Sequence, residues 1–237
     1  MIPPLGGGSP DPRATPWSRR QLISGAERRV GYFAVATIAI AVLLSSKPSF
    51  TNASRPPRGI ANPVIAIEVA RNVGEVDAIL SDAPSPDREA MRIKTWIDFG
   101  FIVAYVGLFL AVARLLGDHV GLAAAATGTL AGICDVIENV GILRVVDTDL
   151  HHTTQAMIDV IRIPSLIKWA LVWITLALLA TSFWKMGHWS KRALAIVNFA
   201  AAALGMYGLF DNAFLVWAGF PMLAGLLGLA ILYFRVG

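Results

Sequence analysis

The residues of this chain that could do chemistry sit inside apolar runs. Asp98 and Tyr105 lie in one run, Asp135, Glu138, Asn139 and Arg144 in the next, and Lys168 in a third. An ionised side chain near the centre of a bilayer costs about 2.5–3.5 kcal/mol on insertion scales, so it normally has a charge partner or a function. Helical spacing groups these residues. Asp135, Glu138 and Asn139 stand at i, i+3 and i+4 and share a face. Asp98 and Tyr105 share another, with Tyr105 about 10 Å further along the axis. Three carboxylates against Lys168 and Arg144 describe a site that is negative or holds a proton. Two readings are open. Asp98–Lys168 and Glu138–Arg144 are ion pairs that fix helix order, or the set forms a pocket for a ligand, an ion or a reaction. Desolvation offsets much of the attraction in buried pairs, which favours a pocket lined by Asp98, Tyr105, Asp135, Glu138, Asn139 and Lys168, with Arg144 as a structural ion-pair partner.

The elements that must position them follow from composition. Hydrophobic residues make up 56% of the 237 residues and charged residues 15%, against about 25% charged in soluble domains. A helix needs about 20 apolar residues to cross the hydrocarbon core, and the pattern predicts six such spans, over 30–46, 96–116, 120–146, 164–184, 193–210 and 213–234. The expected fold is an all-α integral membrane protein, a six-transmembrane-helix bundle with a short extracytoplasmic amphipathic helix. Residues 1–29, rich in Pro, Gly and Arg, are expected to be disordered and cytoplasmic. Ser18-Arg19-Arg20 resembles a twin-arginine signal, but no A-x-A-like cleavage site follows, so a basic flank anchoring the first span is the better reading. The segment 47–95 is polar and carries Ile65, Val69, Val73, Val76 and Leu80 at helical spacing, one stripe on an amphipathic helix. Residues 96–237 then form a five-helix bundle, its fourth span in the chain opening at Pro164.

The basic residues orient the bundle. Five arginines precede the first span, and Arg114, Lys185, Lys191, Arg192 and Arg235 fall at ends on the same side, so the N- and C-termini are expected in the cytoplasm. Asp98, Asp135, Glu138, Arg144 and Lys168 then all fall at similar depth, in the outer half of the membrane. Gly128-x-x-x-Gly132 extends the polar face of the third span and allows another helix to approach.

Other features are weaker. Asp147, Asp149, His151 and His152 match no ordinary zinc spacing and read as a solvated loop. Glu68 reads as a surface carboxylate, with capping of the site from outside as the alternative. Cys134, the one cysteine, reads as a packed small hydrophobe. The net charge of +4 is topological, since no basic cluster is interleaved with aromatics as nucleic-acid binding requires. No P-loop, G-x-S-x-G or H-E-x-x-H motif is present.

Ile67-Glu68-x-Ala70, Asp98-Phe99-x-Phe101-Ile102-x-x-Tyr105, Asp135-x-x-Glu138-Asn139 and Lys168-Trp169 resemble a group of bacterial multi-pass membrane proteins that has no assigned activity. The resemblance covers roughly residues 60 to 185. It implies a bacterial inner-membrane location and a single set of polar positions, and it supplies no substrate or cofactor. Three functions fit: binding or moving a small amphipathic or cationic ligand, with proton coupling at Asp135 or Glu138; an enzyme acting on a lipid or isoprenoid, with a carboxylate and Tyr105 as acid and base; or an accessory subunit whose helices bind a partner or a second copy.

Overall fold

A computed structural model describes residues 16–46, 48–51, 60–211 and 213–234, with side chains from residue 25 onward. Long apolar runs with no strand pattern give helices throughout. In chain order these are α1 (Pro16–Ser45), α2 (Pro63–Glu68), α3 (Val73–Leu80), α4 (Pro86–Leu116), α5 (His119–Val146), a single 3-10 turn at Leu150–His152, α6 (Gln155–Lys185), α7 (Trp189–Gly208) and α8 (Ala213–Phe234). Among the described residues five helices are long and apolar enough to cross a membrane: Gly25–Ser45 of α1, then α4, α5, α6 and Phe214–Phe234 of α8. The chain is therefore an all-α, multi-pass membrane protein. Helix α7 packs between α6 and α8 but is not among the five. It carries Lys191, Arg192 and Asn198 in 20 residues.

Several boundaries differ from those read in the sequence. Residues 16–29, expected to be disordered, are the first turns of α1; residues 1–15, Arg235 and part of the 47–95 segment lie outside the described residues. The apolar stripe from Ile65 to Leu80 belongs to two short helices and not one. Asn62 and Asn72 each accept a backbone N–H bond at a helix start, from Val64 and Glu75, and an Asn cap favours beginning a new helix over continuing an old one. Helix α4 starts ten residues before its apolar run. Its cap is Ser85, whose hydroxyl accepts from the Asp87 N–H, with Pro86 in the first turn, the usual place for a helical proline. Pro164 is not a helix start. It lies inside α6, which opens at the Thr154 cap.

Two cations on α4 close the ends of its neighbours. The buried Arg88 guanidinium donates to Val145 O, Val146 O and Thr148 O at the end of α5, and to Ser81 O. Lys94 Nζ donates to Leu44 O and Ser46 O at the end of α1. Carbonyls at and just past a helix end lack the i+4 N–H donor, so the two side chains fasten the ends of α1, α4 and α5 at the end of the bundle that carries α2 and α3. At the opposite end Gly117, in the left-handed conformation at φ 65°, ends α4, and Lys191 donates to Tyr233 Oη between α7 and α8.

Asp82 joins the loop before α4 to the turn after α5. Its Oδ1 accepts from the N–H of Leu150 and of Ala83, and these two bonds hold its carboxyl below the ordinary range. The stabilisation is present above the ordinary Asp range and is lost as pH falls through the depressed value. Replacing Asp82 by Ala is expected to speed hydrogen exchange at Leu150 N–H at neutral pH. Unchanged protection would show that the bond holds nothing.

Candidate functional site

Lys168 is the centre of the buried polar cluster. Its Nζ lies 3.0 Å from Asp135 Oδ1, 2.8 Å from Glu138 Oε2 and 3.4 Å from Glu68 Oε1. All four side chains are at most 7% exposed. Helix geometry explains the convergence. Asp135 and Glu138 are one turn apart on α5, and α6 runs against that face, with Gly141 close to Ile161. Tyr105 Oη donates to Asp135 Oδ2 at 2.9 Å from α4. Asn139 Nδ2 donates to Asp98 Oδ2 at 2.8 Å. Trp169 Nε1 donates to Glu68 Oε2 at 2.7 Å, which ties α2 to α6.

Of the six residues read from the sequence as a pocket, Asp98, Tyr105, Asp135 and Lys168 line one cavity, whereas Glu138 and Asn139 bond to Lys168 and Asp98 without lining it, and the pairing differs. Lys168 meets Asp135, Glu138 and Glu68, while Asp98 is engaged by Asn139. Arg144 does not belong to the cluster. It is exposed, and no ion pair is found for it among the described residues. On α5 it stands six residues from Glu138, more than one and a half turns, so the two point to different sides. The expected Glu138–Arg144 and Asp98–Lys168 pairs are both replaced.

Glu68 is the residue that sequence reasoning placed wrongly. It is 6% exposed and not a surface carboxylate. Burial pushes its carboxyl above the ordinary range, against the lowering effect of Lys168. The count is now four carboxylates, Glu68, Asp98, Asp135 and Glu138, around one ammonium. Lys94 was also not singled out in the sequence, although it stands one turn before Asp98 on the same face of α4 and lines the same cavity. That face spacing was the available signal.

The cluster forms one wall of a cavity of about 650 Å³. Glu68, Lys94, Asp98, Asp135 and Lys168 line it near the α2 end. Mostly apolar side chains line the remainder, on faces of α1, α4, α6 and α8, with Asn198 from α7. Gly128 and Gly132 let α4 seat on α5, where a Cβ at Gly132 would lie 2.5 Å from Val106 Cγ2. The close approach holds Tyr105 against Asp135. The exposed His151 and His152 stand apart from this site, and no group of three or more His, Cys, Asp or Glu is placed to hold a metal among the described residues.

Chemically, the arrangement can hold a positive charge. Four buried carboxylates, Glu68, Asp98, Asp135 and Glu138, outnumber the two ammoniums at the cavity, Lys94 and Lys168, and each isolated buried ion carries a desolvation cost of several kcal/mol. A further positive charge brought to the cavity would therefore be favoured. No protein-family model matches the chain, and no curated protein or solved structure is significantly similar to it.

Proposed function

We propose that the cavity binds or moves a small amphipathic or cationic ligand, whose positive end is held by the carboxylates around Lys168. The observation that carries this reading is the excess of buried carboxylate over ammonium beside open volume. Asp135 lines the cavity, Glu138 lies beside it, and Lys168 is the charge partner of both. Hexylamine binding to the protein in lipid nanodiscs, followed by calorimetry, tests it. Asp135→Asn and Glu138→Gln are each expected to weaken binding by about tenfold or more, the loss of one charge-assisted contact, while both variants still insert. Unchanged affinity in both rejects the reading.

A second reading is supported by the Tyr105–Asp135 bond, which places a phenol and a carboxylate together at the cavity wall. In it the protein modifies a lipid or isoprenoid, with these two as acid and base. Turnover of a lipid extract that disappears in Tyr105→Phe would favour this enzyme over the binding protein.

We also propose that α7 is a sixth span in a bacterial inner membrane and that both termini are cytoplasmic. Arg114 ends α4 and Lys185 ends α6, and Lys191 and Arg192 open α7 on the same side. That side lies opposite α2 and α3, as positive residues on the cytoplasmic face require. The cavity's polar end then lies in the outer half of the bilayer, and we propose that the chain belongs to the group of bacterial multi-pass proteins it resembles. Periplasmic reporter fusions at Ser81 and Asp149 should be active and a fusion at Gly187 inactive; the inverse pattern would overturn the orientation.

A further inference from the structure

The cavity does not stop at its carboxylates. Beyond them it continues between Leu108 and Val112 of α4, Leu176 and Phe183 of α6, and Leu226 and Leu229 of α8. Phe183 lies about four turns beyond Lys168 on the same helix, a distance of about 22 Å. Half of the hydrocarbon core is about 15 Å, so the shaft is longer than one leaflet is deep. Two polar side chains, Thr37 and Asn198, also line it. Both spend a donor within their own helix, on Phe33 O at 2.7 Å and Leu194 O at 2.9 Å, so neither requires a hydrogen-bond acceptor from a ligand. A volume of about 650 Å³ falls within the usual range of small-molecule sites. It suits one chain and not a two-chain lipid. The polar end and the apolar shaft are in series along the helix axes.

We infer that the ligand is a single-chain amphiphile with a cationic head, the head among Glu68, Asp98 and Asp135 and the chain extended along α6 towards Phe183. This rests on the proposed binding function and adds the tail to it. A free polyamine would gain nothing from the shaft, and an anionic amphiphile would meet the carboxylates.

The test compares dodecylamine with hexylamine on the protein in nanodiscs, each corrected for its uptake by empty nanodiscs. The wild-type protein is expected to bind dodecylamine about tenfold or more tightly than hexylamine, since each methylene moved from water into an apolar site adds severalfold. Leu176→Trp places an indole across the shaft. In it, dodecylamine is expected to fall to the hexylamine level while hexylamine is unchanged. Leu226→Trp blocks the shaft from α8 and serves if the first variant fails to fold. A wild-type protein without chain-length preference, or blocked variants that keep the full preference, would overturn the inference while leaving the head site standing. Failure of both amines to bind at all would remove the head site itself.

Discussion

Replacing Lys168 by Met is expected to lower the stability of the protein by about 3–5 kcal/mol, the usual cost of removing one partner from a buried charge cluster. The variant keeps the volume and apolar stem of the side chain but removes the ammonium that lies within 3.4 Å of three carboxylates. Asp135 keeps the Tyr105 hydroxyl and Glu68 keeps the Trp169 indole N–H. Among the described residues Glu138 has Lys168 alone: its Oε1 accepts from Nζ at 2.9 Å, and its side chain is 1% exposed. The cost therefore concentrates on Glu138. This gives an internal control: adding Glu138→Gln to Lys168→Met should recover a large part of the loss, although Glu138→Gln alone is itself unfavourable. Thermal unfolding in nanodiscs followed by intrinsic tryptophan fluorescence, from the seven tryptophans together, measures both. Equal stability of the single and double variants would mean that the carboxylate does not depend on the ammonium.

The second large effect is expected at Gly31. A Cβ there would lie 2.7 Å from the backbone N of Phe234 and 2.8 Å from its Cα. These are main-chain atoms of α8, so no rotamer change can relieve the contact. Overpacking in a well-packed interior typically costs about 1–3 kcal/mol, and a backbone clash belongs at the upper end of that range. Gly31→Val should therefore separate α1 from α8. Both helices line the cavity, so amine binding should weaken together with stability although residue 31 touches no cavity atom. A paired substitution at the exposed Gly25, which has nothing within 4 Å, should do neither. If Gly31→Val unfolds at the wild-type temperature, the α1–α8 contact is not a closed seam.

The two variants probe parts of the molecule that were unequally visible beforehand. Asp98, Asp135, Glu138 and Lys168 are conspicuous in sequence because they interrupt apolar runs, where charge is costly and needs a reason. Their shared depth followed from the order of the helices. Glu68 has no such contrast. It stands in a polar segment where carboxylates are ordinary, and its burial comes from Trp169, 101 residues away. Arg144 failed for the opposite reason: it lies in an apolar stretch, but helical phase points it away from the cluster. Boundaries were read from hydropathy alone, so the three turns of α4 before Trp96 were missed although Ser85-Pro86-Asp87 signals a helix start. Pro164 reads as a start because proline favours that place; inside α6 it costs the one bond its N–H would have made to the preceding turn, and the helix opened by the Thr154 cap runs on through it.

The guanidinium of Arg88 also bears on how the chain is made. It is translated 57 to 60 residues ahead of the carbonyls it holds at the end of α5. Until α5 has been inserted, Ser81 O is the one of its four carbonyl acceptors already made, with Asp77 and Asp82 as nearby charges. A nascent chain arrested before this point has three of the four carbonyl contacts of that guanidinium unmade, so completion of α5 converts α4 from a loosely seated segment into a fixed one.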